Sequence, residues 1–559
     1  MKIQQAAISL SLGCLALGTT IPHDILPEVH QRSSGTTSTI SWEPCDLDLS
    51  YVGHKDDFEC VTIQVPLDYT NCSNHETVQL DLIKYKAMKK PHKGSILYNP
   101  GGPGVSGMNT VAARGNELVE RSGGHYDIIG FDPRGTGRTL KFDCGGKLRD
   151  DEAESLSRRE VTESLPLVED WETFKKTAWE KAGHLDKTCY QEHADIGRFI
   201  GTAFVARDML AILDALDGPD AELNYWGTSY GTVLGQVFVS MFPDRVGRVL
   251  LDANLLADSY LTKLALGCSR DTEGSLLRIF EVCVEAGPKV CLLADYAGNN
   301  TDAADLMDGL RKSLDDLLGE TIDFGTRQRM SGNELTVDIK ASLMSHLGHL
   351  GKFPNVITLV QATLDSDWDQ VINITTTTPG LVDERWAHEL DVAPHLGIFC
   401  SDSSYRAEDA DDMYSMYQAH LADNMFGDAV AMQRLQCARW NFTAAEPVNT
   451  ELLRNVETKN PVLVVNGIYD PVTPLQHAFE VSSRLRGSRV LVHEGLGHGL
   501  ATNPSNCTID AVKSYFTNGT LPKIGTICEP GPNPFEQIAA QQKAAEDAEE
   551  KENNKRAKF

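Results

Sequence analysis

Short apolar runs that end in glycine-rich turns recur along this chain, and they constrain its fold more than any other feature. Runs without polar alternation suit parallel strands that are buried on both faces. Three such runs lie at 95–99, 126–132 and 223–227, and a fourth at 248–252. Apolar residues between 196 and 216 fall at helical spacing. Strands that alternate with helices predict an α/β fold with a doubly wound, mostly parallel sheet.

The alternation of strands and helices stops near Leu255 and resumes after Asn455. The residues between them have mostly helical periodicity, with no clear strand pattern. Runs at 461–466 and 489–493 then resume the buried-strand pattern, with a helix at 476–485 between them. We expect a large helical cap, inserted above the carboxyl ends of the strands, where such sheets place their sites.

The domain boundaries follow from these changes of pattern. We expect the core to occupy 44–255 and 456–534, split by the cap at 256–455. An arm rich in Ser and Thr, 19–43, precedes the core. The tail at 535–559 has mixed charges and no apolar face to bury, which predicts a solvated helix or disorder.

The first eighteen residues have the pattern of a secretory signal peptide. Lys2 supplies the positive start, 6–17 is apolar, and Ala16-Leu17-Gly18 forms a small-x-small cleavage site. The alternative is a buried N-terminal helix. The run is too short to cross a bilayer, and no later run of about 18 apolar residues follows. We therefore expect 1–18 to be removed and the mature protein to be secreted, soluble and extracellular.

The net charge of −28 limits the classes of partner. A surface this acidic repels the phosphates of nucleic acids and of anionic membranes, so neither is an expected partner. The charge does not bear on the fold.

Cysteine usage agrees with export. Of the thirteen cysteines, Cys14 leaves with the signal peptide, and the remaining even number predicts disulfide bonds. No C-x-x-C pair occurs, which argues against zinc or redox use. The sequence does not fix the pairing. Joining neighbours gives Cys45–Cys60, Cys144–Cys189, Cys283–Cys291, Cys400–Cys437 and Cys507–Cys528, and leaves Cys72 and Cys268 for a sixth pair.

Acceptor sequences for N-linked glycans indicate a glycoprotein. They lie at Asn71, Asn299, Asn373, Asn441, Asn506 and Asn518. Asn71 and Asn506 are weaker candidates because cysteine occupies the middle position.

The residues 227–231 match the G-x-S-x-G pattern, with Ser229 at its centre. They follow the apolar run 223–226 and precede a helical pattern at 232–241, the strand–turn–helix setting of a nucleophile elbow. So tight a turn tolerates almost no side chain at the flanking positions. The alternative is a purely structural glycine turn. We expect Ser229 to be a nucleophile.

A serine hydroxyl needs a base and an orienting acid to react at neutral pH, and this fold orders them Ser, acid, His. The strand pattern that begins at 461–466 continues to Asp470, which is its last residue. His498 follows the next strand and lies between two glycines. These positions predict Asp470 as the acid and His498 as the base. The competing residues are His477 and His493 for the base, and Asp252 and Glu494 for the acid.

The transition state also needs donors for a developing oxyanion. One is the backbone N–H of Tyr230, and the other should come from the glycine turn at 100–104. Pro100 and Pro103 lack N–H groups, which leaves Gly101 and Gly102.

Four motifs together resemble the tripeptidyl-aminopeptidase-like α/β-hydrolases, relatives of the proline iminopeptidases. They are Asn99–Gly104, Phe131–Gly137, Gly227–Gly231 and Asp470–Pro474, and the resemblance covers roughly 42–534. It implies Ser229 as nucleophile, Asp470 as acid, His498 as base and Gly102 as the second oxyanion donor. Pro100 stands where the iminopeptidases have histidine, as in the tripeptidyl branch.

The resemblance implies a serine exopeptidase that releases short N-terminal fragments, tripeptidyl or aminoacyl, with no metal or organic cofactor. Such an enzyme needs carboxylates to bind the substrate ammonium, and the cap contains several candidates: Glu273, Glu281, Glu285, Asp402, Glu408 and Asp409. The alternatives are an esterase or lactonase with the same triad, which would take a small ester, and an inactive hydrolase fold used for binding. Oligomeric state stays open.

Overall fold

The computed structural model describes residues 40–45, 57–71, 73–144, 170–324, 328–377, 392–540 and 543. The predicted signal peptide, nearly all of the arm and most of the tail lie outside the described residues.

A nine-stranded sheet forms the centre of the molecule, in the order β1-β2-β4-β3-β5-β6-β9-β10-β11. The antiparallel pairs are β1 with β2 and β2 with β4, and every other neighbouring pair is parallel. The predicted doubly wound, mostly parallel sheet is confirmed. Its strands are β1 (Phe58–Pro66), β2 (Thr77–Tyr85), β3 (Ser95–Asn99), β4 (Asp127–Phe131), β5 (Leu223–Thr228), β6 (Val246–Asp252), β9 (Leu463–Tyr469), β10 (Arg489–Leu496) and β11 (Ile527–Cys528).

Helices cover both faces of this sheet. Successive residues of a strand point to opposite faces, so Leu97 and Val464 enter one apolar core while Ile96 and Val465 enter the other. Burial on both sides explains why the strands lack polar alternation. The helices outside the cap are α1 (Gly107–Arg121), α2 (Asp170–His193), α3 (Thr202–Asp217), α4 (Tyr230–Met241), α14 (Leu475–Arg484) and α15 (Asn506–Asn518), and α5–α13 follow below.

Between β6 and β9 the chain forms a mainly helical cap. Its helices are α5 (Ala257–Thr262), α6 (Thr272–Ala286), α7 (Ala303–Leu317), α8 (Gly332–Leu347), α9 (Phe353–Leu364), α10 (Trp368–Thr377), α11 (Val392–Asp402), α12 (Tyr414–Leu421) and α13 (Gly427–Arg434). A third apolar core, which includes Leu306, Leu310, Leu343 and Val360, joins several of them.

The cap also contains an antiparallel hairpin, β7 (Thr321–Phe324) and β8 (Gln328–Ser331), which the helical periodicity did not predict. Ile322 and Met330 are directly paired across it, and both pack against the cap core. Strands of four residues are too short for an alternation to stand out from the helical pattern around them.

Five disulfide bonds join the neighbouring cysteines, as expected: Cys45–Cys60, Cys144–Cys189, Cys283–Cys291, Cys400–Cys437 and Cys507–Cys528. Cys268 is a free, buried thiol, so the suggested pair with Cys72 is wrong. Cys72 itself lies outside the described residues. All six predicted glycan acceptors are exposed. Within the described ranges, no helix is both long and apolar enough to cross a bilayer.

The expectation that the tail has nothing to bury is wrong at its first residue. Phe535 is buried, and its ring centroid lies 6.3 Å from that of Phe353 in α9. Ile538 also packs against the cap core. Phe535 and Ile538 are two large apolar residues at the start of a segment rich in Gln, Ala and charged residues, which is too few for a periodic pattern to reveal this contact.

Candidate active site

Ser229 lies in a sharp turn between β5 and α4. Its backbone has φ 58° and ψ −123°, a conformation that non-glycine residues rarely adopt. Such strain at a strand-to-helix turn is typical of a nucleophile elbow. The Ser229 N–H donates to the backbone oxygen of Asp252 at 3.0 Å, which ties the turn to the end of β6.

The two flanking glycines are required by close backbone contacts. A Cβ on Gly227 would lie 2.2 Å from the backbone oxygen of Gly231. A Cβ on Gly231 would lie 2.7 Å from the backbone oxygen of Asn99. Both distances are too short for real atoms. The G-x-S-x-G spacing is thus explained by the crowding of β3, β5 and α4 around the turn.

Asp470 and His498 are in direct contact. The Nδ1 atom of His498 lies 2.9 Å and 3.0 Å from the two carboxylate oxygens of Asp470. Asp470 is fully buried and also accepts from the backbone N–H groups of Val472, Thr473 and Gly499, at 3.0, 2.9 and 3.3 Å. Because a carboxylate at Nδ1 holds the proton there, Nε2 of His498 is left as the basic nitrogen.

The electrostatics of this pair favour its charged form. Burial opposes ionisation of Asp470, but the charge and hydrogen bond of His498, with the donors Thr473 and Val472, outweigh it and lower its pKa. Burial likewise opposes protonation of His498, but Asp470 and, more weakly, Asp252 raise its pKa. A histidine stabilised as imidazolium is suited to accept a proton from a nearby hydroxyl.

The sheet brings Ser229 and His498 to the same edge. β5, β6, β9 and β10 are consecutive parallel neighbours, so their carboxyl ends meet there. The residues beside the two functional groups are in contact, since a Cβ on Gly499 would lie 3.3 Å from Cγ2 of Thr228. The hydroxyl and the imidazole therefore belong to one rim of the molecule.

The glycine turn after β3 approaches the same rim. The position of a Cβ on Gly101 is 2.8 Å from Cβ of Ser229 and 3.1 Å from the backbone nitrogen of Tyr230. The N–H of Gly101 donates to the side chain of Asn99 at 3.0 Å. It is therefore occupied, which favours the N–H of Gly102 as the second donor beside that of Tyr230.

The competing residues have structural contacts. In β10, His493 bonds through its two ring nitrogens to the backbone oxygen of Asn503 (2.7 Å) and the hydroxyl of Thr508 (3.0 Å). His477 is buried on α14, where burial lowers its pKa to about 4. Asp252 is buried beside the histidine loop but does not occupy the position at Nδ1.

Most of the cap carboxylates named above are engaged by other groups of the protein. Glu273 pairs with Arg311, and Glu281 and Glu285 both pair with Arg278. The other two with partners are Asp402, which accepts from the backbone and hydroxyl of Thr202, and Asp409, which accepts from the backbone of Asp411 and Asp412. These contacts disfavour all five as receptors for a substrate amine. Among the described residues, no group of three His, Cys, Asp or Glu side chains is arranged to hold a metal ion.

Two cap residues contact the rim that holds Ser229, His498 and the glycine turn, and the sequence did not predict either of them. The backbone oxygen of Gly348, after α8, accepts from the N–H of His498 at 2.9 Å. Nδ1 of His395, on α11, lies 3.0 Å from the backbone oxygen of Pro103 in the glycine turn. Neither residue belongs to a motif, so no signal in the sequence marks them.

Family models match both halves of the hydrolase core. The model described as alpha/beta hydrolase fold matches 94–267, and the model described as TAP-like protein matches 423–528.

Three curated relatives align with almost the whole chain. A tripeptidyl aminopeptidase of Streptomyces lividans is 25% identical, over 89% of this chain and 87% of the relative. The serine protease Hip1 of Mycobacterium tuberculosis is 24% identical, over 88% and 91%. A carboxylesterase B of the same organism is also 24% identical, over 88% and 90%. The chain has the α/β-hydrolase fold and resembles the tripeptidyl aminopeptidases over nearly nine-tenths of its length.

Proposed function

We propose that the chain is a serine hydrolase that releases short N-terminal fragments, tripeptidyl or aminoacyl, from peptides through an acyl-enzyme. The observation that carries the proposal is the contact of His498 Nδ1 with the buried Asp470 carboxylate, beside the strained turn that holds Ser229. The similarity to the Streptomyces tripeptidyl aminopeptidase supports a peptide substrate.

In this mechanism, Nε2 of His498 takes the proton from the Ser229 hydroxyl as its oxygen attacks the substrate carbonyl. Asp470 keeps the proton of the imidazole on Nδ1 and stabilises the imidazolium that forms. The N–H groups of Gly102 and Tyr230 hold the developing oxyanion. His498 then returns the proton to the departing amine.

The acyl-enzyme is an ester of Ser229 with the carboxyl group of the released fragment. Water attacks this ester while His498 removes a proton from the water. The N–H groups of Gly102 and Tyr230 hold the second oxyanion. The fragment leaves as a free acid, and the Ser229 hydroxyl is regenerated.

An esterase with the same triad is the second candidate. The relative named carboxylesterase B, at 24% identity, favours it over other hydrolase classes. A panel of tripeptidyl, aminoacyl and acyl-ester substrates separates the two, because the exopeptidase should hydrolyse tripeptidyl amides with a much higher kcat/KM than simple acyl esters.

The decisive experiment compares Ser229→Ala with Ser240→Ala. Ser240 lies on α4, the same helix that begins after the nucleophile, and its hydroxyl bonds to the backbone oxygen of Val237. Ser229→Ala should fold but lose labelling by a fluorophosphonate probe and lower kcat by about 10⁴-fold or more. Ser240→Ala should keep both. Full activity in Ser229→Ala would refute the assignment.

Export belongs to the proposal as well. The five disulfide bonds within the described ranges suit an oxidising compartment. N-terminal sequencing of the secreted protein should begin at residue 19. Glycosidase treatment should reduce its mass if the exposed sequons are used. Asn441 should be the least modified, because its side-chain nitrogen already donates to Asp186 at 2.6 Å.

A further inference from the structure

Asp252 is a second buried carboxylate at the catalytic rim, beside the one that contacts His498. It lies at the end of β6, and its side chain is 2% exposed. One carboxylate oxygen accepts from the N–H of Leu500 at 3.0 Å, and the other from the indole N–H of Trp226 at 3.3 Å. The hydroxyl of Thr228 approaches the second oxygen at 3.5 Å.

These contacts connect the nucleophile turn to the histidine loop. The backbone oxygen of Asp252 accepts the N–H of Ser229, while its carboxylate accepts the N–H of Leu500, two residues after His498. The same carboxylate lies 3.6 Å from the position of a Cβ on Gly499. A single residue thus touches both chain segments that must stay in register for proton transfer.

The charged and titratable groups around Asp252 come from helix α1, strand β3 and the loops that follow β9 and β10. Helix α1 presents Arg114 and Arg121, both joined to Glu117 by ion pairs of 3.0 and 2.6 Å. The side chain of Arg121 also donates to the backbone oxygen of Leu500 at 3.3 Å. Strand β3 presents Tyr98.

The loops after β9 and β10 present Asp470 and His498, and His349 of the cap interacts electrostatically with His498. Burial raises the pKa of Asp252 to about 6, against the hydrogen bonds from Leu500 and Trp226 and the charge of His498. Above that pH the residue is an anion.

From this arrangement we infer that Asp252 is a positioning residue with an electrostatic role: it fixes the loop of His498 against the turn of Ser229 and adds a second negative charge that stabilises the imidazolium. The inference rests on the roles proposed for Ser229 and His498. Asp470 orients the imidazole ring of His498, and both carboxylates stabilise the positive charge of that ring.

The pH dependence of kcat/KM tests the electrostatic part, because it reports the ionisation of the free enzyme. Removing a negative charge near His498 lowers the pKa of the imidazole. Asp252→Asn should therefore move the acid limb to lower pH by about half a unit or more, and lower kcat by roughly threefold or more, since half a pKa unit corresponds to about a threefold change.

Asp132→Asn is the matched control. Asp132 is also a buried carboxylate, and it too accepts from backbone N–H groups, those of Met108 and Arg138, and from the Ser106 hydroxyl. It lies at the end of β4, and its charge acts on Asp81 rather than on the histidine. Its neutralisation should leave the acid limb in place even where stability falls.

If the acid limb does not move in folded Asp252→Asn, the inference is overturned. Asp252 would then only connect the two chain segments structurally. In Asp252→Asn the new NH₂ group faces the indole N–H of Trp226, and this pair of donors can prevent the variant from folding. Asp252→Asn in a Trp226→Phe background, compared with Trp226→Phe alone, removes that conflict and should show the same shift. Retained activity in Ser229→Ala would instead refute the proposed function, so the two failures are distinguishable.

Discussion

The backbone oxygen of Gly348 accepts the N–H of His498 at 2.9 Å, so a residue of the cap holds the loop of the proposed base. The hydroxyl of Thr502 reinforces this contact, because it lies within hydrogen-bond distance of the backbone oxygens of both Gly348 (3.0 Å) and His498 (2.8 Å). The cap thus contributes directly to the support of the loop that holds the proposed base.

Replacing Thr502 by valine should test that support, since valine keeps the shape and removes the hydroxyl. One hydrogen bond is worth about 1 kcal/mol, so kcat should fall about fivefold while KM changes little. Steady-state kinetics and a thermal melt check this. Thr508→Val, which removes a hydroxyl bonded to His493 instead, should change the melt but not kcat. Equal kcat in both variants would contradict the role of Thr502.

The pH profile should reflect the contact of His498 with Asp470. Because Asp470 raises the pKa of His498, the base stays protonated to a higher pH than an ordinary histidine. Activity should therefore rise with pH, and the acid limb of kcat/KM should have its midpoint above 6.5, the ordinary pKa of histidine. Asp470→Asn should lower kcat by about 10⁴-fold through loss of the correct tautomer. A midpoint well below 6.5 in the wild type would contradict the arrangement.

The contact between His395 and Pro103 should position the oxyanion donor. Since the Pro103 oxygen only accepts, Nδ1 of His395 must carry the proton. Burial and the charge of Arg434 lower its pKa to about 4, so the ring is neutral at pH 7. His395→Phe removes the donor and should lower kcat at least about tenfold with little effect on KM, and His395→Asn should restore much of it. Kinetics of the two variants measure this, and equal losses in both would argue for packing alone.

Arg134 should be essential for stability rather than for chemistry. Its side chain is fully buried, donates twice to Asp208 (2.7 and 2.9 Å), and also reaches the backbone oxygens of Pro66 and Leu67. Arg134→Met would leave Asp208 as an uncompensated buried charge, so the free energy of unfolding should fall by about 3–5 kcal/mol. Denaturant titration measures this, with Lys312→Met, in an exposed pair, as the silent control.

Cys268 should be chemically silent in the folded protein. Its thiol is buried, and burial raises its pKa, which suppresses the reactive thiolate. Alkylation without reductant should therefore modify the Cys268 peptide only after unfolding, while the cysteines of the five disulfide bonds stay unmodified until reduction. Peptide mass spectrometry gives this result directly, and rapid modification of native Cys268 would contradict its burial.

Much of the fold could be predicted from the sequence because burial on both faces leaves a plain mark on a strand. The runs at β3, β5 and β9 have that mark, and joining neighbouring cysteines gave five correct pairs although the sequence did not fix the pairing. The turn at Ser229 could also be predicted, because a Cβ on Gly227 or Gly231 would lie only 2–3 Å from backbone atoms, so both positions require glycine. These features are local, so a local pattern records them.

The features that were missed depend on contacts between distant segments. From the cap, Gly348 reaches the rim through its backbone oxygen and His395 through a ring nitrogen, and no residue pattern encodes either contact. Asp252 could be noticed only as a rival acid, because its partner Leu500 lies 248 residues away and its partner Trp226 lies in another strand. The burial of Phe535 against Phe353 has the same origin.

The cap leaves the sheet after β6 and returns to it at β9, and these two strands are hydrogen-bonded neighbours. Ala253, just past the exit, donates to the backbone oxygen of Val465, so the two openings in the core are separated by a single strand spacing. Replacing the insertion would leave these two strands paired, but α11, α12 and α13 share an apolar core with the sheet and its helices, so that core would have to be repacked. A replacement insertion must also restore the hydrogen bonds that Gly348 makes to His498 and that His395 makes to Pro103. Without them the new enzyme would bind its substrate but turn it over slowly.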